Sequence, residues 1–408
     1  MKLDYDLAST RLKRLSEFLT RLRPLWEERS FARRELSWEN DFPAVGRWCR
    51  GLPRDEVTGG GGPGEFSVPP PLDFIRWSAE AGELTELPSF PSSPLQGLDI
   101  RALANGVPGR KWEQICAFAS VVKPLLEPGL VGLTDWCAGK GHLGRLMAWS
   151  NSLPVLLLER DGGLCAAGER AALGLGVRCD FSNEDVRTRQ KFSPTPDKEA
   201  LLSLHACGSL SDDAIKLATE ERMGQLFVAG CCYHRMNGES EYRPLSTEGG
   251  RRNLRLGYST MRLATAEEVV ARPALRQRRQ REMAWRLGVE LARGQPAGEA
   301  GGSIGRIPAK WFHLPFGEFC DAVAKRDGWA LRPGWDGQRA EAEAWDRSRV
   351  VQGLGLVRCL FRRSIEMWVV LDRALFLLER GREVRLGTFC SRELTPRNTL
   401  LVSTLPRS

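Results

Sequence analysis

The sequence predicts an α/β protein built on a mostly parallel sheet, and three observations carry that expectation. From about residue 130 onward, short apolar runs alternate with helix-length segments, the pattern of parallel β-α units. A glycine loop, Gly139, Gly141 and Gly144 in the spacing G-x-G-x-x-G, follows the first of those runs. Two strand-like runs at 384–390 and 399–404 close the chain and suit a terminal antiparallel hairpin.

The elements follow in order. Leu12, Leu15, Phe18, Leu19, Leu22 and Trp26 recur every three or four residues, which predicts an amphipathic N-terminal helix. Residues 59–71 and 87–94 are rich in Gly, Pro and Ser and read as linkers. A helix is expected over 111–126, with Trp112, Ile115, Phe118, Ala119 and Val122 inward. Parallel strands are expected at 132–136, 155–158, 177–179, 200–204 and 226–229, and an apolar helix at 365–379. A helical, arginine-rich stretch after the fifth of these ends in a Gly-rich turn at 300–303. The expected organisation is a mostly helical region over 1–105 with Gly/Pro-rich linkers. A catalytic domain over 106–408 follows, carrying a basic helical insertion at 236–310.

Composition narrows the function classes. Hydrophobic residues make up 42% and charged residues 27% of the 408, which is ordinary for a globular chain. No apolar run reaches the ~18 residues that span a bilayer, and the start lacks a signal-peptide core. A cytoplasmic protein with no membrane partner is the expectation, and reduced cysteines suit it, since none of the eleven form a C-x-x-C pair. The net charge of +8 is concentrated between 251 and 294, where eleven arginines face four glutamates and no lysine. Such a run suggests an anionic partner, RNA first, although charge runs are often simply solvated helix faces.

The stretch Asp135-Trp136-Cys137-Ala138-Gly139-Lys140-Gly141-His142 is the most informative. The loop gives a tight turn and close backbone approach to a ligand, and nicotinamide, flavin and S-adenosylmethionine (SAM) enzymes share it. Two details favour SAM. Asp135 precedes the loop, where an acid suits a cationic sulfonium and amino group better than a pyrophosphate. Glu159, 20 residues beyond Gly139, can take both ribose hydroxyls. Asp180 and Phe181 are expected at the end of the third strand, to accept the adenine amino group and to pack on its face, or else to cap a helix. The cofactor-binding set is therefore Asp135, Cys137, Ala138, Gly139, Gly141, His142, Glu159, Asp180 and Phe181.

Three of the four histidines, His142, His205 and His234, fall just after expected parallel strands, where open α/β sheets bind ligands. A shared site follows, with His205 and His234 as candidate general bases and Tyr233 as a platform for a flat acceptor. Cys207, Cys231 and Cys232 are expected to be packing residues. With His142, His205 and His234 they are all zinc-ligand types, but adjacent cysteines rarely chelate together, so no metal is expected.

Taken together, Asp-Trp-Cys-Ala-Gly-Lys-Gly-His-Leu-Gly at 135–144, His-Ala-Cys-Gly-Ser-Leu-Ser-Asp at 205–212 and Cys-Cys-Tyr-His at 231–234 resemble the methyltransferase-like protein 25 family. Leu371-Asp372-Arg373 and Thr395-Pro396-Arg397-Asn398 are similar to that family's closing signatures. The resemblance covers the chain from about residue 111. It implies a Rossmann-like class I SAM-dependent methyltransferase with a seven-stranded sheet and reversed last strand. More distantly, the His-x-Cys-Gly and Cys-Cys-x-His elements look like those of eukaryotic tRNA 2′-O-methyltransferases acting on the acceptor stem. That implies an RNA substrate, tRNA or rRNA. The Asn/Asp-Pro-Pro-Tyr motif of amino-methylating enzymes is absent, which argues against base N-methylation. A methyltransferase acting on protein or a small molecule, and a non-catalytic SAM-binding module, are the alternatives. The oligomeric state is not legible.

Overall fold

In a computed structural model of the chain, residues 1–58, 66–95, 100–189, 194–265, 273–294 and 305–406 are described. They form two compact units. One holds residues 1–20, 84–266 and 363–408; the other holds 21–83 and 267–362. The chain therefore changes unit four times, and not at the boundary expected near residue 105. The stretch 236–310, expected as one insertion, is likewise divided at 266/267. The Gly-rich turn at 300–303 and residues 59–65 of the first linker lie outside the described residues.

The first unit is built on eight strands: β1 (Lys2–Leu3), β2 (Gly132–Trp136), β3 (Val155–Glu159), β4 (Cys179–Asn183), β5 (Glu199–Cys207), β6 (Gln225–Cys231), β7 (Glu383–Thr388) and β8 (Thr399–Thr404). Their order across the sheet is β1-β7-β8-β6-β5-β2-β3-β4. Strands β2 to β6 run parallel, while β8 is antiparallel to both β6 and β7. This is the Rossmann-like class I arrangement with its reversed hairpin, extended at one edge by the two-residue β1 paired to β7. The pairing explains why the first twenty residues belong here. The helix Tyr5–Arg21 buries Leu12, Leu15, Phe18 and Leu19, and its Ser16 hydroxyl accepts a 2.8 Å bond from the Trp368 indole. The linker at 87–94 also serves the sheet: Phe90 N–H donates to the Thr388 carbonyl at 2.9 Å, prolonging pairing along the β7 end.

Strands β2, β6 and β8 are buried throughout, as expected for apolar runs covered on both faces. Phe118, Leu146, Met147, Leu157, Leu202 and Phe227, all fully buried, form one core between the sheet and the helices Gly109–Val122 and His142–Asn151. Each such side chain stabilises the fold by roughly 1.5–3 kcal/mol. The edge strand β4 departs from expectation, beginning two residues later than predicted and running to Asn183. Paired on one side only and half exposed, it has no continuous apolar run to mark it.

The second unit is helical, with a core of aromatic side chains. Trp285, on the helix Pro273–Arg293, meets Phe316 edge-on at 5.3 Å and Trp345 at 5.5 Å. Gly288 permits this: a Cβ there would lie 2.3 Å from the Phe316 ring. Among the described residues no helix is long and apolar enough to cross a membrane.

Candidate active site

The glycine loop is shaped by left-handed backbone. Cys137, Gly139 and Gly141 have φ of 60°, 61° and 68°. Ala138 N–H donates to Leu158 O at 3.0 Å and Gly141 N–H to Ala138 O at 2.9 Å, which tucks the loop over the end of β3. The helix His142–Asn151 then starts at once. A Cβ on Gly141 would lie 2.3 Å from Leu157 Cδ2 and 2.7 Å from Phe181 Cζ, and one on Gly144 would lie 2.7 Å from Leu157. These two glycines let the helix sit down on the sheet. Gly139 faces open space instead, and its N–H donates to Glu159 Oε2 at 2.9 Å.

Asp135 braces the loop from behind. It is buried, and its Oδ2 accepts from Gly144 N–H at 3.0 Å. Burial pushes its carboxyl up to about 7, against the pull of the Gly144 bond. It does not line the cavity described next, so the expected role beside a ligand's cationic groups becomes a supporting one.

A cavity of about 680 Å³ opens at the C-terminal ends of the parallel strands. It lies where the strand order reverses between β2 and β5, as open α/β sheets arrange their ligand sites. On one side it is lined by Cys137, Leu158 and Glu159, with Glu184, Asp185 and Val186 beyond β4. Cys207, Ser209, Leu210 and residues 234–239, with Tyr258, form the other side. The Glu159 carboxylate accepts from Gly139 and Asp161 N–H groups, the latter at 3.0 Å. A carboxylate has about four acceptor positions, so two remain for hydroxyl groups in the cavity.

The three histidines do not converge. His142 is buried, its Nδ1 2.9 Å from Arg145 Nη2, and its ring also bonds the Leu103 backbone. Burial and Arg145 depress it to about 4. His205 sits in a bulge of β5 with φ 65°. Its Nε2 lies 3.0 Å from Gln114 Oε1, while the Gln114 amide nitrogen donates to Leu394 O, so the histidine must be the donor. Burial, then Lys111 and Arg397, depress it to about 4 as well. Only His234 lines the cavity. Its Nδ1 lies 3.2 Å from Thr265 Oγ1, whose single hydroxyl proton is already given to Arg262 O at 2.9 Å. The ring therefore donates through Nδ1, so that in the neutral imidazole the lone pair is on Nε2. The Tyr258 ring stands edge-on to His234 at 5.7 Å.

Three expected contacts are corrected. Phe181 points into the core between Gly141 and Gly168, where a Cβ on Gly168 would be 2.3 Å from its ring. Asp180, one residue earlier in β4, faces solvent. Both lie inside the strand rather than after it, and Asp185 and Val186 stand at the cavity in their place. Extending the strand from Cys179 to Asn183 would have found them, because Asp185 then caps the next turn through Arg187 N–H. Tyr233 is fully buried, its hydroxyl donating to Glu366 Oε1 at 3.2 Å, so it cannot stack on an acceptor. The cavity's aromatic is Tyr258, 51% exposed, for which the sequence held no signal.

Cys207, Cys231 and Cys232 do converge, with their sulfurs all within 4.8 Å of one another. Cys137, His205 and Cys232, each just beyond or at the end of a parallel strand, are non-glycine residues with positive φ. Each costs roughly 1–2 kcal/mol, and such strain gathers at functional sites.

Residues 110–239, which contain the glycine loop and most of the cavity lining, match the family model described as a methyltransferase domain. This segment thus matches a methyltransferase domain, and the sheet to which its strands belong has the class I methyltransferase arrangement. Among solved structures the chain is similar to a Pyrococcus abyssi tRNA (uracil-54, C5)-methyltransferase in complex with S-adenosyl-L-homocysteine. The identity is 18% over 29% of this chain and 28% of that one, with a TM-score of 0.24. It is similar to a geranyl diphosphate methyltransferase (12% identity, 38% and 64% covered, TM-score 0.23) and to coclaurine N-methyltransferase (13%, 55% and 58%, 0.23). The chain thus spans less than two thirds of each of these relatives. The methyltransferase cavity is within the usual ~300–1,000 Å³ for a ligand of SAM's class. Its open Gly139, the spare acceptor positions of Glu159 and the apolar Val186 fit a nucleoside. When bound, SAM supplies an electrophilic methyl group on a sulfonium.

Proposed function

We propose that this chain is an RNA methyltransferase of the methyltransferase-like protein 25 type, acting on a ribose hydroxyl. The observation that carries the reading is His234 at the cavity, its ring oriented by Nδ1–H donating to Thr265 Oγ1. A hydroxyl needs a base as it attacks the methyl group, and a histidine whose Nδ1–H is already engaged offers Nε2 for that role. Thr265 orients the ring, and Glu159, Asp185, Val186 and the 137–139 backbone hold the cofactor. His205, depressed and bonded to Gln114, positions the end of β5 rather than moving a proton.

Charge supports an anionic acceptor. Arg160, Arg187 and Arg235 are exposed where they line the cavity. Two of its acids are paired with their own arginines, Glu184 with Arg189 and Glu239 with Arg243 at 2.9 Å. The test is transfer of labelled methyl from SAM into total RNA, with and without RNase. Label in RNA that rises with enzyme, and binding that weakens steeply with salt, would support the reading. Label persisting in protein after RNase would replace it with a protein methyltransferase.

A further inference from the structure

We propose that Cys207, Cys231 and Cys232 form a three-thiolate zinc site whose fourth position faces the acceptor side of the methyltransferase cavity. The three sulfurs lie within 4.8 Å of one another, and those of Cys207 and Cys231 are 3.6 Å apart. Sulfurs bound to one zinc at ~2.3 Å stand ~3.8 Å apart in a tetrahedron, so the cluster needs to contract by less than about 1 Å. Two features of the backbone build it. Cys207 and Cys231 are register partners on the neighbouring strands β5 and β6, and Gly208 N–H donates to Cys231 O at 2.9 Å to hold them level.

The adjacency of Cys231 and Cys232 is no obstacle. In extended backbone neighbouring side chains point to opposite faces, which is why adjacent cysteines seldom share a metal. Here Cys231 ends β6 and Cys232 has φ 48°, a left-handed turn that brings both sulfurs to one side. Its cost of roughly 1–2 kcal/mol has no other evident return. The turn is fixed by Arg235 N–H donating to Cys232 O at 2.9 Å.

Three protein ligands and one open position is the plan of a catalytic zinc, whereas structural sites are closed by four. Cys207 lines the cavity with His234, so the open position lies on that side. There the ion would polarise the attacking oxygen or sulfur of an acceptor, whatever macromolecule carries it. Each thiol that binds gives its proton to solvent, so loading releases up to three protons. Three thiolates on a divalent ion leave one negative charge, which Arg235 beside Cys207 and Arg397 beside Cys232 offset.

The experiment uses the full chain, stripped of metal under a non-thiol reductant and titrated with cobalt(II) as a spectroscopic stand-in. The expected result is one cobalt per chain, a thiolate-to-cobalt charge-transfer band, proton release on loading, and displacement by zinc. Cys207→Ser, Cys231→Ser and Cys232→Ser should each weaken binding at least tenfold, and Cys359→Ser, in the helical unit, should not. Circular dichroism identifies any variant that fails to fold, and the remaining variants then decide. The proposal is overturned if the band is absent while all eleven cysteines titrate as free thiols. It is equally overturned if the band survives in a folded Cys207→Ser/Cys232→Ser protein.

Discussion

The buried guanidinium of Arg373 donates to Asp212 Oδ1 at 2.8 Å, tying the helix Arg362–Leu378 to the helix that follows β5. Arg373 also reaches the Gly208 carbonyl at 3.4 Å, beside Cys207. Its neighbour Asp372 accepts four hydrogen bonds, from Tyr242 Oη, Leu245 N–H and the N–H and hydroxyl of Ser246. The pair thus holds both chain segments that leave the sheet at the acceptor side of the cavity. Arg373→Ala should cost about 3–5 kcal/mol, since it leaves the largely buried Asp212 without its bonded guanidinium, with Lys216 the remaining nearby cation. Thermal unfolding checks this, and a loss below about 1 kcal/mol would mean that water replaces the guanidinium.

His234→Ala should lower kcat by about 10²–10⁴-fold with SAM affinity kept, the range for removal of a general base. Thr265→Val removes the oxygen that fixes the Nδ1–H tautomer and should cost less, in kcat rather than KM. His205→Ala should act mainly on stability. Single-turnover rates beside calorimetric SAM binding separate these cases, and a His205 variant that is stable but inactive would exchange the two roles.

Gly141 and Gly139 should respond differently, although both have left-handed φ. A side chain at 141 collides with Leu157 and Phe181, so Gly141→Asp should unseat the helix His142–Asn151 and abolish SAM binding. A methyl group at 139 meets open space, so Gly139→Ala should cost only the backbone strain, ~1 kcal/mol, with SAM affinity reduced rather than lost. Isothermal titration of both variants measures the contrast, and equal losses would place the ligand against Gly141 rather than the core.

How far the site was legible follows from which residues make local patterns. The strands β2, β3, β5, β6 and β8 were visible because burial on both faces demands apolar runs. The glycine loop was visible because its turn demands glycine. Position along the chain showed that His234 follows a strand, but not where its ring points. It gave the same reading for His142 and His205, which turn to Arg145 and Gln114 instead. Asp180 and Phe181 were misplaced because an edge strand carries too weak a pattern to show where it ends. The division between units at 20/21 and 266/267 was hidden because it depends on contacts distant in sequence.

The buried carboxyl of Asp135 gives a pH prediction with a definite sign. Burial raises it from its ordinary value of 3.8 to about 7, so the folded protein holds a proton that the unfolded chain releases above pH ~4. Between pH 4 and 7 this group makes stability fall as pH rises, and above pH 7 its effect is constant. His142 and His205 slope the other way: each is depressed from 6.5 to about 4, so each contributes stability above pH 6.5 that is lost on acidification. A whole-protein profile therefore mixes opposed terms, and the difference between parent and Asp135→Asn isolates one. The amide oxygen can still accept from Gly144, while its buried NH₂ lacks an assured partner and shifts the whole curve down by roughly 1–3 kcal/mol. That offset does not depend on pH. The stability of Asp135→Asn relative to the parent should therefore climb from pH 4 to 7, by on the order of 2–4 kcal/mol, and then level off. Denaturant titrations at intervals of one pH unit give the curve. A flat difference would mean that Asp135 ionises at its ordinary value, with water reaching it behind the loop.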